Sequence, residues 1–394
     1  MRRLSPALLA LLIVVAGCGG GSDKPTPAQQ GEQGQPVLGQ RGDEKPAGPA
    51  LGFPVFATKN TTRVAGADPV SSAAGVAQAV FPSRSPDTRP RAVVLVDQDD
   101  WRAGIAASQL AGPPLRAPVL LTEGKDLPEA TSDALDKLQP TGAKEAGGAQ
   151  VIRIGDVAEP DGLKSTDIAA GTPAATARSI DRLQAAAAKG RSKAVVVASA
   201  DRPDFAMPAA AWAAKSGDPV LWTGRDALPP ETVSAIKAHG KPAIYVLGPE
   251  DVIGEAVLRD LRKLGSVKRI SGPDPVTNAI AFSRYTDGSF GWGITDPGHG
   301  LVFAGTKRTL DAAAAAPLSA SSTYGPLLLI PEAQALPQAL QDYLLDIQPG
   351  YDDDPVRGVY NHGWIVGDAK AISVDVQSRI DTLLEIQKVD TGGD

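Results

Sequence analysis

Apolar residues along this chain gather in short unbroken runs, not in long periodic stretches. Val93 to Val96, Val195 to Val197 and Leu301 to Phe303 are apolar without alternation. That is the pattern of strands buried on both faces of a parallel sheet. A proline opens a second run at a nearly constant distance downstream of each first one. These second runs are Pro118-Val119-Leu120-Leu121-Thr122, Pro219-Val220-Leu221-Trp222-Thr223 and Pro326-Leu327-Leu328-Leu329-Ile330. Leu-Pro follows at 127–128, 228–229 and 336–337, and a third run ends on Gly155, Gly248 or Gly367. Upstream of each set stands a strand leading to glycine: Arg63-Val64-Ala65-Gly66, Asp167-Ile168-Ala169-Ala170-Gly171 and Arg269-Ile270-Ser271-Gly272. Helical stretches lie between the runs, as in 102–111, 206–215, 311–318 and, after the first Leu-Pro, 128–138, where proline suits a first turn.

The order of landmarks repeats three times, and the glycines Gly66, Gly171 and Gly272 fall at nearly even intervals. Strands alternating with helices imply βαβ crossovers and sheets covered on both faces. The expected fold class is therefore α/β, as three tandem doubly wound parallel-sheet modules of about 100 residues. The modules are placed at 59–164, 165–266 and 267–387, with a tail over 388–394. A repeat of this length is a whole small domain, so each module could own a core.

Ahead of the modules the pattern changes. Arg2 and Arg3 precede a short apolar run, Leu8 to Val15, and Val15-Ala16-Gly17-Cys18 follows. The run is too short to span a bilayer and reads as a secretory signal over 1–17. The tetrad resembles the lipobox of bacterial lipoproteins, with Val15 where Leu is commoner. That resemblance implies cleavage before Cys18 and acylation of its thiol, hence a partner in the lipid bilayer and an extracytoplasmic location facing the cell wall. Cys18 is the only cysteine, so no disulfide within the chain is possible. Residues 18–58, rich in Gly, Gln, Pro and charge, read as a disordered tether.

Charge and motifs narrow the function. A formal net charge of −6 speaks against nucleic acid as a partner. There is no Gly-x-Ser-x-Gly elbow, no Walker loop and no histidine pair at helical spacing among His239, His299 and His362. No catalytic residue, metal or cofactor is therefore expected, and the chain reads as a non-enzyme. Asp352-Asp353-Asp354 lacks the spacing of a calcium loop and reads as an acidic surface loop.

The repeated landmarks resemble the cell-wall-binding repeat type 2 family of Gram-positive surface proteins, over roughly residues 59 to 372. The resemblance implies three α/β modules around a pseudo-threefold axis that bind an anionic secondary polymer of the wall. The family opening Gly-x-Asp-Arg-Tyr is changed here to Gly66-Ala67-Asp68-Pro69, Gly171-Thr172-Pro173 and Gly272-Pro273-Asp274-Pro275, without the Arg-Tyr pair. The family's helix-opening Asp, counted back from the strand proline, stands as Asp204 and Asp311, with Ala103 in the first module.

Candidate polymer-binding residues are then Arg63, Asp68, Asp204, Arg269, Asp274 and Asp311. Asp204 and Asp311 also suit plain helix capping, and Arg63 and Arg269 plain strand ends. The Gly-rich stretch 285–300, with Phe290 and Trp292, lengthens the third module as a surface insertion or a platform for a sugar or partner. Two other readings fit the same sequence: a solute-binding lipoprotein of a transport system, and a scaffold for a protein partner.

Overall fold

A computed structural model describes residues 55–169, 171–321 and 325–389. Cys18, the signal and nearly all of the tether lie outside the described residues. The elements follow the repeated landmarks. β1 (Val55–Ala57), β2 (Thr61–Val64) and α1 (Pro69–Val80) come first. β3 (Val93–Asp97), α2 (Trp101–Ala107), β4 (Val119–Thr122), α3 (Glu129–Leu138), β5 (Val151–Ile154), β6 (Ser165–Ile168) and α4 (Pro173–Ala187) follow. Next are β7 (Ala194–Ser199), α5 (Pro203–Ala206), α6 (Pro208–Ser216), β8 (Val220–Thr223), α7 (Pro230–Ala238), β9 (Ala243–Leu247), α8 (Glu255–Leu261), β10 (Ser266–Ile270) and α9 (Pro275–Arg284). β11 (Gly300–Gly305), α10 (Asp311–Ala320), β12 (Leu327–Ile330), α11 (Gln338–Asp346), β13 (Gly350–Tyr351), β14 (His362–Val366), α12 (Val374–Leu384) and β15 (Gln387–Lys388) complete the chain.

These strands build three equivalent parallel sheets, ordered β4-β3-β5-β6, β8-β7-β9-β10 and β12-β11-β14-β2. β1 adds an antiparallel edge to the third, and β13 pairs with β15 apart from them. The three sheets are offset by one strand from blocks of sequence that begin at the strand-Gly landmark. β6 finishes the sheet of the block before it, and so does β10. β2 finishes the last sheet by pairing with β14, in the register Thr62 to Trp364, so the two ends of the folded chain meet. Nearly the first strand of the fold thus closes the ring.

The helix after each such strand carries the chain onward. α1 packs on the first sheet's β4 and on α10, α4 on the second sheet's β8 and on α2, and α9 on the third sheet's β12 and on α5. Each starts the same way, with a cap and a proline: Asp68-Pro69, Thr172-Pro173 and Asp274-Pro275. The cap oxygen accepts a free N–H, and proline at the first helical position gives up only a donor that had no partner.

Around the pseudo-threefold axis the contacts are all small. Ala111, Ala214 and Ala316, one from each sheet's inner helical segment, form a buried cluster. A Cβ on Gly112 would lie 2.1 Å from the Ala214 carbonyl oxygen, so only glycine lets these backbones approach. The modules do not own separate cores. One apolar cluster runs through the first two sheets and into the inner helix and one face of the third, with Val302, Leu327 and Val366, while Phe303, Leu328, Leu340, Ile365 and Ile380 belong to a second cluster on its other face.

Candidate functional site

β3, β7 and β11 each sit inside their sheet's order, with neighbours reached by crossovers running in opposite directions. Ligands of open α/β sheets bind beyond the carboxyl ends at such a point, and a crevice opens there in the third sheet. The six candidate residues divide between two such ends. Arg63, Asp68 and Asp311 lie at the carboxyl ends of the third sheet, and Asp204, Arg269 and Asp274 at those of the second.

The third crevice has a volume of 330 Å³ and is lined by Gly305 at the end of β11, Lys307 and Arg308 after it, Pro331 and Glu332 after β12, and Asp368 and Lys370 after β14. Arg308 is the keystone. Its guanidinium donates to the Gly66 carbonyl at 3.0 Å and the Ser72 hydroxyl at 2.8 Å, so it holds the loop after β2. It also donates to Asp311 Oδ1 at 3.1 Å, while its Nε lies 2.8 Å from Oδ2 without hydrogen-bond alignment. Asp311 is wholly buried. Burial pushes its carboxyl up to about 7, against the pull of Arg308. Lys307 is exposed and meets Glu332 at 2.8 Å. Lys370 is exposed, and its side chain makes no ion pair among the described residues.

Asp204 takes the place of Asp311 in the second sheet and pairs with Arg202 at 3.1 Å. Counting back from the strand proline puts Ala103 there in the first sheet. The carboxylate is instead one helical turn earlier: Asp100 caps α2 by accepting the Ala103 N–H at 2.9 Å. Its signal in the sequence was an ordinary N-cap, which fixed spacing from the proline missed. Asp68 and Asp274 likewise cap α1 and α9.

Arg63 and Arg269 do one job in two sheets. Arg63 is 3% exposed, and donates to the Gly367 and Asp368 carbonyls at 2.9 Å and to Gln377 at 2.7 Å. Burial lowers its guanidinium to about 10. Arg269 donates to the Gly248 and Ile253 carbonyls at 2.8 Å. Each clamps the glycine turn that ends the neighbouring strand, which leaves few donors for a ligand. In the first sheet the arginine has crossed to the adjacent strand. Arg153, level with Asp167, donates to the Val157 carbonyl at 3.1 Å.

The carboxyl ends of the sheets differ in charge. Asp97, Asp99 and Asp100 follow β3 at the first, and Asp97 accepts the Gly124 N–H at 3.0 Å. Lys307, Arg308 and Lys370 gather at the third, beside Glu332 and Asp368. The 285–300 insertion is not a platform facing solvent at its centre. Phe290 is 3% exposed and stacks on Tyr245 with centroids 3.4 Å apart, while Trp292 meets Trp212 edge-on at 5.4 Å. The loop plugs the junction between the second and third sheets. His239 is buried against Asp181 at 3.1 Å, His299 faces Asp296, and His362 faces Thr62. Among the described residues no group of three His, Cys, Asp or Glu is placed to hold a metal ion, and no helix is long and apolar enough to cross a membrane.

Comparison with known proteins agrees with this architecture. The structure is similar to that of Cwp6 from Clostridium difficile, with a TM-score of 0.65 at 20% identity over 83% of this chain and 48% of that one. It is similar also to Cwp8 from Clostridium difficile, with a TM-score of 0.63 at 19% identity over 82% of this chain and 52% of that one. The chain thus spans about half the length of these relatives, and the likeness is one of fold. No curated protein matches the sequence. The family model for cell wall binding domain 2 matches residues 168–258 and 269–377, together half of the chain, and nearly all of the first sheet lies outside the match. The chain belongs to the cell wall binding domain 2 family.

Proposed function

We propose that this protein is a non-enzymatic lipoprotein of the cell surface that binds an anionic secondary polymer of the cell wall, bridging membrane and wall. Acylated Cys18 would hold it to the membrane, and the tether would let the folded body reach the wall. The segment before the matched repeats counts as a third, divergent copy, because its sheet has the same strand order and meets the others at the same alanine cluster.

The observation that carries the reading is the surplus of cations at the third crevice, where Lys307, Arg308 and Lys370 outnumber the carboxylates Glu332 and Asp368, in a chain of net charge −6. A polyanion approaching an acidic protein needs a local field of opposite sign. Arg308 is fixed by Gly66, Ser72 and Asp311, so the exposed Lys370 can follow phosphate or carboxylate groups, and so can Lys307 by exchanging its Glu332 partner for them. Asp68, Asp204, Asp274 and Asp311 act by shaping the loops, and Arg63 and Arg269 by clamping the turns.

The test is co-sedimentation of the full-length chain with cell walls, before and after the secondary polymers are stripped. Binding to intact walls alone is expected, weakened by salt and by Lys307→Glu with Lys370→Glu. Equal failure to pellet with both wall preparations would overturn the proposal.

A further inference from the structure

The three sheets share one strand order but differ in the connection that follows β5, β9 and β14. Between β9 and β10 the chain spends residues 248–265 and forms α8. After β14 it forms α12, which covers the β14 and β2 side of the third sheet and packs on α11. Between β5 and β6 there is only the short segment 155–164, and it forms no helix. The first sheet therefore lacks one covering helix that its two sisters have.

What lies there is an open groove of 840 Å³. It is lined by Ser132, Leu135 and Gln139 of α3 and its cap, by Asp161 and Leu163 of the short connection, and by Arg89. Alignment on Leu-Pro makes Ser132 equivalent to Gln341 and Gln139 to Gln348. In the third sheet those two glutamines are the residues that grip the covering helix. Gln341 accepts from Arg379 at 3.0 Å, and Gln348 donates to the Thr382 and Glu385 carbonyls at 3.4 and 3.2 Å. The positions that hold a helix in one sheet face an open groove in the other.

We propose that this groove receives a short amphipathic helix from a partner protein, which completes the first sheet as α8 and α12 complete the others. The proposal does not depend on polymer binding at the third crevice. Leu135 and Leu163 offer the apolar floor that an i, i+3, i+4 stripe would cover. Gln139, which aligns with Gln348, would donate to carbonyls at the end of such a helix. The Arg89 side chain makes no hydrogen bond or ion pair among the described residues, and its Nε is buried without a partner. A guanidinium at the carboxyl end of a docked helix would meet its free carbonyls and its dipole. Asp136 and Asp161 also line the groove, so basic residues on the helix are favoured. The chain's own segment over 19–54 is rich in Gly, Pro and Gln and has no such stripe.

The probe is a labelled peptide of residues 254–265, the α8 helix with its apolar stripe and with Arg259, Arg262 and Lys263. Fluorescence anisotropy with the full-length chain is expected to show saturable micromolar binding. Ser132→Trp, which fills the groove, and Arg89→Glu, which reverses the charge at its end, should each weaken binding about tenfold or more. Hydrogen exchange should show protection confined to α3 and 155–164. Three results would overturn the proposal: no saturable binding, binding that both variants leave intact, or a groove already protected in the free chain by a second copy or by the amino-terminal segment.

Discussion

The Arg153 guanidinium lies 3.3 Å from the Asp167 carboxylate, side by side on β5 and β6. In the second sheet the same two positions are Val246 and Arg269, with the arginine on the other strand. Either arrangement delivers one guanidinium to the carbonyls of the turn beyond the strand. Arg153→Val alone is expected to cost roughly 1–3 kcal/mol, since the Val157 carbonyl loses its donor. Arg153→Val combined with Asp167→Arg should recover most of that loss. Urea unfolding of the two variants decides the matter, and equal destabilisation would show that the two arrangements are not equivalent.

At the axis, Gly112→Ala has nowhere to put its methyl, with the Ala214 carbonyl 2.1 Å from the Cβ position. Separating these backbones should cost about 1–3 kcal/mol. The loss should appear as a lowered thermal midpoint, because the contact joins two sheets within one core.

His239 gives a pH signature. Burial of its ring pulls the pKa down, but the hydrogen bond to Asp181 and that carboxylate's charge together raise it above the ordinary 6.5. A base whose folded pKa is raised contributes stability that is complete below the unfolded value and fades as pH climbs through the folded one. The advantage of wild type over His239→Gln should therefore be largest near pH 6 and shrink toward pH 8. Denaturation midpoints at the two pH values provide the check, and an advantage that grows with pH would contradict the pairing with Asp181.

Phe290 is a structural plug by its stacking on Tyr245 and its contact with Trp212 at 4.8 Å. Phe290→Ala should cost about 3–5 kcal/mol of stability. Wall binding per folded molecule is expected to be unchanged, read by co-sedimentation at a temperature where the variant remains folded.

Much of the fold was legible in the residues. Unalternating runs such as Val93 to Val96 marked buried strands, and all three copies of each landmark became the same element. What the pattern could not state was pairing. Strand character is local, whereas the bond between Thr61–Val64 and His362–Val366 forms across the whole folded chain.

The site was legible only in part. The capping that the sequence suggests for Asp204 and Asp311 falls instead to Asp68 and Asp274, while Asp204 and Asp311 stand inside the first turn of their helices. Lys307 and Lys370 were not singled out, since they follow different strands and nothing but the sheet brings them to one crevice. Arg63 and Arg269 suit either a polymer contact or a plain strand end in the sequence, and the fold spends their donors on turn carbonyls.

Hydrophobic runs and turn chemistry act over a few residues. The order of residues alone therefore set which segments are strands and helices and their threefold recurrence. Other features needed distant parts of the chain to pack together. Each sheet borrows its last strand from the next block, Phe290 became a plug, and the first sheet was left with an open groove. Those depend on which surfaces meet, and no local stretch of sequence carries that information.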